Sequence, residues 1–269
     1  MAEKEKTIIS VIMPAYNEEE HIEQALSSIC MQKGDFKIEI LVINDGSTDR
    51  TEEVVLKFRE KLLQNNDFLP EQNVTLSLME NQGGSGVAET RNTGIRAAKG
   101  KYIAFLDADD WWEEDKLSTQ FSFMEKSGAV LCATGRELMH HDGTSMNKII
   151  QIPEKITYKM LLRTNYIPCS SVFMKTEVAR EFYMCHDELH EDYILWLRIL
   201  KKYGCVYGIN QPMLKSRMSK GGKSRNKLKS AKMQIGCYKF MGYGILKSLF
   251  YFCSYMMNGV KKYGTSVKG

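Results

Sequence analysis

The sequence predicts an α/β protein: an open, mostly parallel sheet flanked by helices, continued at its C-terminus by a basic, aromatic-rich helical extension. Three observations predict it. Short apolar runs alternate with stretches of helical periodicity through the first half of the chain, which is the pattern of successive β-α-β units. With 269 residues and 43% hydrophobic composition, the chain can bury the core of one large domain. No Asp or Glu follows Asp192, whereas residues 193–269 hold 16 Lys and Arg, so the net charge of +4 divides into −12 before that point and +16 after it.

The elements follow in order. Ile8 to Met13 reads as a buried strand, and Asn17-x-x-Glu20 as a capping box ahead of a helix with Ile22, Ala25, Leu26 and Ile29 on one face. Ile38 to Ile43 is the second strand. Asp49-x-x-Glu52 then opens a helix whose apolar face is Val54, Val55, Phe58 and Leu62. Val74 to Met79, a helix over 88–99 closed by Gly100, the strand Tyr102 to Leu106, a helix from Glu113 to Ser127 and the strand Ala129 to Ala133 continue the alternation. Beyond residue 135 the pattern loosens into a variable stretch at 136–156, a short helix over 157–164 and a strand over 168–174. A helix from His190 places Ile194, Leu195, Trp196, Leu197, Ile199 and Leu200 against an apolar partner.

In open α/β sheets ligands bind outside the carboxyl ends of the strands. Here three such ends are polar: Pro14-Ala15-Tyr16-Asn17-Glu18, Asn44-Asp45-Gly46-Ser47 and Asp107-Ala108-Asp109-Asp110. In an extended segment residues i and i+2 point the same way, so Asp107 and Asp109 can present two carboxylates together. Mg²⁺ and Mn²⁺ take carboxylate, phosphate and water oxygens and need only one or two protein carboxylates at the lip of a pocket. Asp45 can accept the N–H of a uracil ring, Ser47 or Asp49 can cap the following helix, and Arg91 is a fixed cation available to a base or a phosphate. Glu191 and Asp192 open the His190 helix, whose positive end is expected to keep a carboxylate ionised and hence able to act as a base. His186-x-x-x-His190 and His140-His141 have imidazoles at zinc-compatible positions but no defined third ligand.

Together these residues resemble family 2 of the inverting glycosyltransferases. The blocks that carry the resemblance are Pro14-Ala15-Tyr16-Asn17-Glu18-Glu19, Asn44-Asp45-Gly46-Ser47-Thr48-Asp49, Arg91-Asn92-x-Gly94, Gly100-x-Tyr102-x-x-Phe105-Leu106-Asp107-x-Asp109-Asp110 and Glu191-Asp192-Tyr193-x-Leu195-Trp196-x-Arg198. Five ordered blocks over residues 7–217 are far more specific than any one. The resemblance implies a Rossmann-like glycosyltransferase A fold, a nucleoside-diphosphate sugar donor, usually UDP-linked, Mn²⁺ or Mg²⁺, and a glycan or lipid-linked acceptor in bacterial surface polysaccharide or glycolipid synthesis. It assigns Pro14, Ala15, Tyr16, Glu18, Asp45 and Arg91 to the nucleoside pocket, Asp107 to the ribose and Asp109 to the metal. Departures are the long links at 63–73 and between Asn81 and Arg91, and Ser216-Arg217 with the Gly-rich basic loop 219–224 where the family often carries a Tyr-Arg pair followed by serines.

Competing functions fit less well. A sugar-1-phosphate nucleotidyltransferase would carry a Gly-rich loop with Arg and Lys after the first strand, and Pro14 to Glu19 is not one. A non-catalytic nucleotide-sugar-binding protein would be expected to lack one of Asp107, Asp109 or Asp192, and all three are present. The acidic first half and the absence of a recognition motif argue against nucleic acid. Seven scattered cysteines without a C-x-x-C pair suit reduced thiols in the cytoplasm, and the charged N-terminus lacks signal-peptide features. Residues 1–225 are read as the catalytic unit, with a nucleotide half over 7–110 and an acceptor half over 111–225. Residues 226–269 are read as an extension that lies on an anionic membrane surface. Its longest uncharged run, Ser248 to Val260, has 13 residues, short of the ~20 a spanning helix needs. Packing of this stretch on the catalytic unit, or an oligomer contact, is the alternative.

Overall fold

The computed structural model describes residues 7–64, 74–81, 86–185, 187–218 and 227–264. A central sheet runs in the order β3-β2-β1-β4-β9-β6-β10-β5, with β7 paired to β6 and β8 to β10. The first four strands are β1 (Ile8–Ala15), β2 (Lys37–Asn44), β3 (Val74–Glu80) and β4 (Tyr102–Phe105). β1 lies parallel between β2 and β4, and β2 pairs parallel with β3. The chain therefore builds outward through β2 and β3, then returns to the other side of β1, which leaves a crevice at the carboxyl ends of β1 and β4.

The predicted helices form where the apolar spacing put them. They are α1 (Ile22–Cys30), α2 (Thr51–Gln64), α3 (Val87–Ala97), α4 (Lys116–Ser127) and, later in the chain, α7 (Glu191–Tyr203). Ile22, Ala25, Leu26 and Ile29 are all fully buried, as is the apolar set of α7 from Ile194 to Leu200. Two apolar layers result, one on each face of the sheet. One packs α1, α2 and α4 against Ile9, Val11, Ile38, Ile40 and Tyr102. The other packs α3, α6 (Thr176–Phe182) and α7 against Ile12, Ile43, Ile103 and Phe105.

The stretch over 136–156 is ordered rather than irregular. β6 (Leu131–Met139) extends well past Ala133, turns back as β7 (Ser145–Ile150), and leads into β8 (Lys155–Thr157) and α5 (Tyr158–Leu161). The expected strand over 168–174 divides into a 3₁₀ turn, Cys169–Ser171, and a short β9, Phe173–Lys175, antiparallel to both β4 and β6. The two-residue β5 (Trp111–Trp112) and the long β10 (Cys205–Arg217) carry no period-2 alternation and were not predicted. Their pairing with each other and with β6 comes from tertiary contacts.

The C-terminal helices α8 (Lys227–Phe240) and α9 (Ile245–Gly264) lie on the α7 side. Cys237 and Tyr238 are fully buried, and the Tyr238 hydroxyl donates to the carbonyl of Leu162 at 2.8 Å. Tyr238 and Tyr255 both meet Tyr193 of α7 edge-on, with ring centroids 6.4 and 6.3 Å away. The packed reading of this segment therefore holds for its inner face. Among the described residues, no helix is long and apolar enough to cross a membrane.

Candidate active site

The loops after β1 and β2 are locked together by side chains. Asn17 takes a left-handed backbone (φ 54°), and its Oδ1 accepts from Thr48 N at 2.8 Å while its own N–H donates to Ser47 Oγ at 3.1 Å. Glu18 N donates to Thr51 Oγ1 at 2.8 Å, and Glu19 N to Asp49 Oδ2 at 3.1 Å. The capping box expected at Asn17-x-x-Glu20 is therefore absent: α1 starts at Ile22 without a side-chain cap, and Asn17 spends its carboxamide on the neighbouring loop. Asp49 serves both purposes, since its Oδ1 also accepts the N–H of Thr51 at 2.9 Å in the first turn of α2.

Asp45 is held at the end of β2 by two donors, Asn81 Nδ2 at 2.7 Å and Gly86 N at 2.9 Å. Asn81, just after β3, also donates to Thr90 Oγ1 at 3.0 Å. Gly86 has φ 128°, and a Cβ there would lie 2.5 Å from Asp187 Oδ2, so only glycine fits. Asp187 accepts the N–H of Ala88 at 2.8 Å at the start of α3. Further along α3, a Cβ on Gly94 would lie 2.4 Å from Ile12 Cγ2. That close approach to β1 sets the depth of Arg91, one turn earlier. Arg91 is buried and ion-paired on both sides, with Nη2 2.6 Å from Asp107 Oδ1 and Nη1 2.9 Å from Glu191 Oε1. It thus joins the two halves of the molecule through residues 100 apart in sequence.

The acidic loop after β4 is fixed from behind. Asp107 N donates to Ser170 Oγ at 3.1 Å, and Asp110, buried, accepts from Arg217 N at 2.9 Å. Arg217 Nε donates to the Asp109 carbonyl at 2.9 Å and Nη2 to Gln24 Oε1 at 2.6 Å, with its guanidinium 4.8 Å from the Trp111 ring centre. Arg217 anchors the turn that carries the carboxylates.

Two cavities open at this edge. One, of about 280 Å³, is lined by Pro14, Ala15, Tyr16, Glu18, Asp45, Arg91, Asp107 and Asp109, together with Val87, Thr90, Ala108 and Glu191. Every residue expected at the nucleotide and metal is thus gathered around a single space. The other, of about 380 Å³, contains Asp192, His190, Ser170 and Cys169. The two share Arg91, Asp107 and Glu191. Asn81, Gly86, Asp187, Ser170 and the Arg217 side chain support the site but were not singled out by sequence. Of these, Asn81, as the residue after a strand end, and Arg217, standing where the family often carries a Tyr-Arg pair, carried a signal.

The electrostatics differ from the expectation for Asp192. Burial, followed by the neighbouring Glu191 charge, pushes its carboxyl up to about 7, with Arg91 opposing. The helix end does not hold it in the ordinary carboxylate range, because desolvation outweighs a dipole contribution of about 0.3–1 kcal/mol. Burial and then Asp109 and Asp107 push Glu18 up to about 7, and burial and then Asp107 push Asp109 up to about 6.

His186, the loop 219–224, residues 65–73 of the first long link and residues 82–85 of the second lie outside the described residues. His141 does not pair with His140; it meets His21 edge-on at 4.9 Å, beside Glu20.

Comparison with known proteins gives the same grouping. The model of glycosyl transferase family 2 matches residues 10–181. A glycosyltransferase named for teichuronic acid biosynthesis, TuaG of Bacillus subtilis (strain 168), is 34% identical over 96% of this chain and 98% of its own length. The Escherichia coli UDP-Glc:α-D-GlcNAc-diphosphoundecaprenol β-1,3-glucosyltransferase WfgD is 32% identical over 97% of each. The crystal structure of S. aureus TarS 1–349 in complex with UDP-GlcNAc superposes with a TM-score of 0.65 at 16% identity, over 94% of this chain and 72% of that one. With the donor-side blocks, the sheet order and nearly full-length relatives in agreement, the chain belongs to glycosyl transferase family 2 and is a glycosyltransferase.

Proposed function

We propose that the enzyme transfers a sugar from a UDP-sugar to a hydroxyl of a lipid-linked or glycan acceptor, with inversion at the anomeric carbon, in bacterial surface polysaccharide synthesis. The observation that carries this reading is the junction of the two cavities at Arg91, Asp107 and Glu191. A donor in the smaller cavity would place its sugar at that junction, facing Asp192 in the larger one. Asp45, with both carboxylate oxygens already oriented, would accept the uracil N–H, and Tyr16, 57% exposed, would lie along the base. The names of WfgD and its UDP-Glc donor and diphospho-lipid acceptor favour the same substrate classes.

The residues present fit a divalent cation. Burial and then the charges of Asp109 and Asp107 raise the affinity of Glu18 for protons, and burial and then Asp107 raise that of Asp109, which marks an excess of negative charge that a cation would relieve. Asp109 and Asp107 would hold Mn²⁺ or Mg²⁺, which supplies positive charge for the departing diphosphate. Asp192 takes the proton of the acceptor hydroxyl, whose oxygen forms the new bond to the anomeric carbon. The bond from that carbon to the diphosphate oxygen breaks on the opposite face, and the nucleoside diphosphate leaves with the electron pair. Glu191, paired to Arg91, keeps Asp192 in place and raises its basicity.

Residues 226–269 are proposed as an extension of a catalytic unit over 1–225, seated on the cytoplasmic face of an anionic membrane. Leu246, Phe250, Met257 and Val260, all at least 60% exposed, form the outer side of α9, and Lys247 and Lys261 are exposed beside them. A contact between two copies is the competing occupant of this face.

The test of donor and metal is a thermal-shift series with UDP and GDP, with and without Mn²⁺. Stabilisation by UDP that requires Mn²⁺ supports the reading. No shift with UDP and Mn²⁺ together sinks it.

A further inference from the structure

The sequence offers an imidazole at His141 without partners for a metal, and the fold supplies them. His141 stands on the turn between β6 and β7, where Gly143 N donates to the His140 carbonyl at 3.0 Å and His140 N to that of Thr144 at 2.8 Å. This turn lies against the start of α1, which brings His21 and Glu20 to it. One ligand atom from each of Glu20, His21 and His141 lies within 4.8 Å of those of the other two. The ligand atoms of a tetrahedral zinc ion stand about 3.3–3.6 Å apart, so small side-chain rotations, chiefly of the exposed Glu20, close the three on one ion. The two imidazoles are half-buried and held in place: His21 by a hydrogen bond to the Glu20 backbone, and His141 through its carbonyl, which accepts from Arg217 Nη1 at 2.5 Å. Burial, and then the Arg217 charge, hold His21 below its ordinary range and so in the neutral form that ligates a metal. The Glu20 carboxylate supplies negative charge against that guanidinium.

We infer that Glu20, His21 and His141 form a second metal site, for a borderline transition ion of the Zn²⁺ class, separate from the carboxylates of Asp107 and Asp109. Two imidazole nitrogens and one carboxylate are donors that such an ion prefers, whereas the acidic turn offers oxygen alone and suits Mg²⁺ or Mn²⁺. Three protein ligands leave the fourth position to water. The place of the site in the fold gives it a role. Glu20 and His21 follow directly on the loop whose Pro14, Ala15, Tyr16 and Glu18 line the donor cavity. On the other side, Arg217 donates to the carbonyls of both His141 and Asp109. An ion bound here clasps the β6–β7 turn to the start of α1 and stiffens the rim of the donor cavity from outside.

The test uses the untagged full-length chain with the oxygen site taken out of competition in two ways, by excess Mg²⁺ on the wild type and by Asp109→Ala. Zn²⁺ is titrated calorimetrically into both, and into His21→Gln, His141→Gln and Glu20→Gln in excess Mg²⁺. The expected result is one Zn²⁺ per chain in both settings, bound about 100-fold or more weakly after either His substitution and about 10-fold more weakly after Glu20→Gln. Co²⁺ added in place of Zn²⁺ should give the intense visible absorption of a four-coordinate ion with nitrogen ligands. No Zn²⁺ binding in either setting, binding that Asp109→Ala abolishes, equal binding with the imidazoles present and replaced, or Co²⁺ bands as weak as those of the six-coordinate aqueous ion overturns the site. Melting of the metal-free proteins shows whether the variants are folded, and the Co²⁺ spectrum of the wild type decides the question if a His variant is not. Because the Asp109→Ala arm lacks the donor-side ligand, its outcome is separate from that of the UDP and Mn²⁺ test above.

Discussion

Replacing Glu191 by Gln should move the acid limb of the rate profile to lower pH. In the proposed reaction transfer requires ionised Asp192, whose carboxyl stands at about 7 because it is buried and because Glu191 is next to it. The sign follows directly: below pH 7 the base is protonated and the rate falls, and above it the rate levels. At pH 6 about a tenth of the wild-type enzyme carries the ionised base, so kcat/KM there should lie about tenfold below its plateau. Glu191→Gln removes the like charge, and it frees one side of Arg91, now bonded to Glu191 at 2.9 Å, to favour the carboxylate. Both changes lower the Asp192 pKa, while burial remains and keeps it above the ordinary value. A unit charge at contact distance is worth on the order of a few kcal/mol at an effective dielectric of ~20, and partial solvent screening reduces that, so the limb's midpoint should fall by about one pH unit. The plateau should fall a few-fold as well, since a weaker base is a poorer proton acceptor. The assay is release of nucleoside diphosphate at saturating donor between pH 5 and 9. Glu18 and Asp109 also titrate near this range, but Glu191 is not among the groups that raise them, so the shift is specific to Asp192. A midpoint that stays put or rises in Glu191→Gln would refute Asp192 as the titrating base.

Asp109→Ala should abolish both transfer and the metal-dependent UDP shift, whereas Asp192→Asn should keep the UDP shift and lower turnover by about 10²- to 10⁴-fold; equal loss of binding in both would make Asp192 a ligand contact. Asp192→Asn should also stabilise the unliganded fold. The folded state holds the Asp192 proton more tightly than the unfolded chain, so this residue's contribution falls as pH rises from about 4 to about 7, and the variant should melt a few degrees higher at pH 8 but not at pH 4 by calorimetry. Arg91→Ala leaves Glu191 buried without its guanidinium and should cost about 3–5 kcal/mol in urea unfolding; a loss under 1 kcal/mol would mean that the ion pairs are replaced by water. Phe250→Glu combined with Val260→Glu should reduce co-sedimentation with anionic liposomes while leaving the melting temperature unchanged, because both side chains are exposed; truncation after Asn226 should lower it, since it removes buried Cys237 and Tyr238.

The first half of the chain was legible in sequence because its elements are local. Parallel strands buried on both faces read as continuous apolar runs, and the loops that leave them must be polar, so Asp45, Asp107 and Asp109 stood out before any coordinates. Gly94 was legible only as part of a motif, although its cause is a single contact with Ile12. The chain beyond residue 110 was harder to read. β9 is three residues long, β5 is two, and β7 and β8 hold their places by pairing with β6 and β10 rather than by alternation of their own. Such strands have no periodicity to detect, and their pairing is decided by what the rest of the chain leaves open.

Chemistry by itself singled out residues that the fold gathers around one cavity; the fold decided how they are charged and partnered. The sequence placed Asp192 at a helix start and so favoured an ordinary, ionised carboxylate, but the packing around α7 buries it next to Glu191 and pushes its carboxyl up to about 7. Arg91 read as a cation available to the ligand, and tertiary structure engages it between Asp107 and Glu191. The basic C-terminus read as a separate tail, and only packing turned one face of α9 into the cavity wall that carries Lys262. The common reason is that desolvation and charge pairing depend on neighbours far along the chain, which residue type and spacing do not specify.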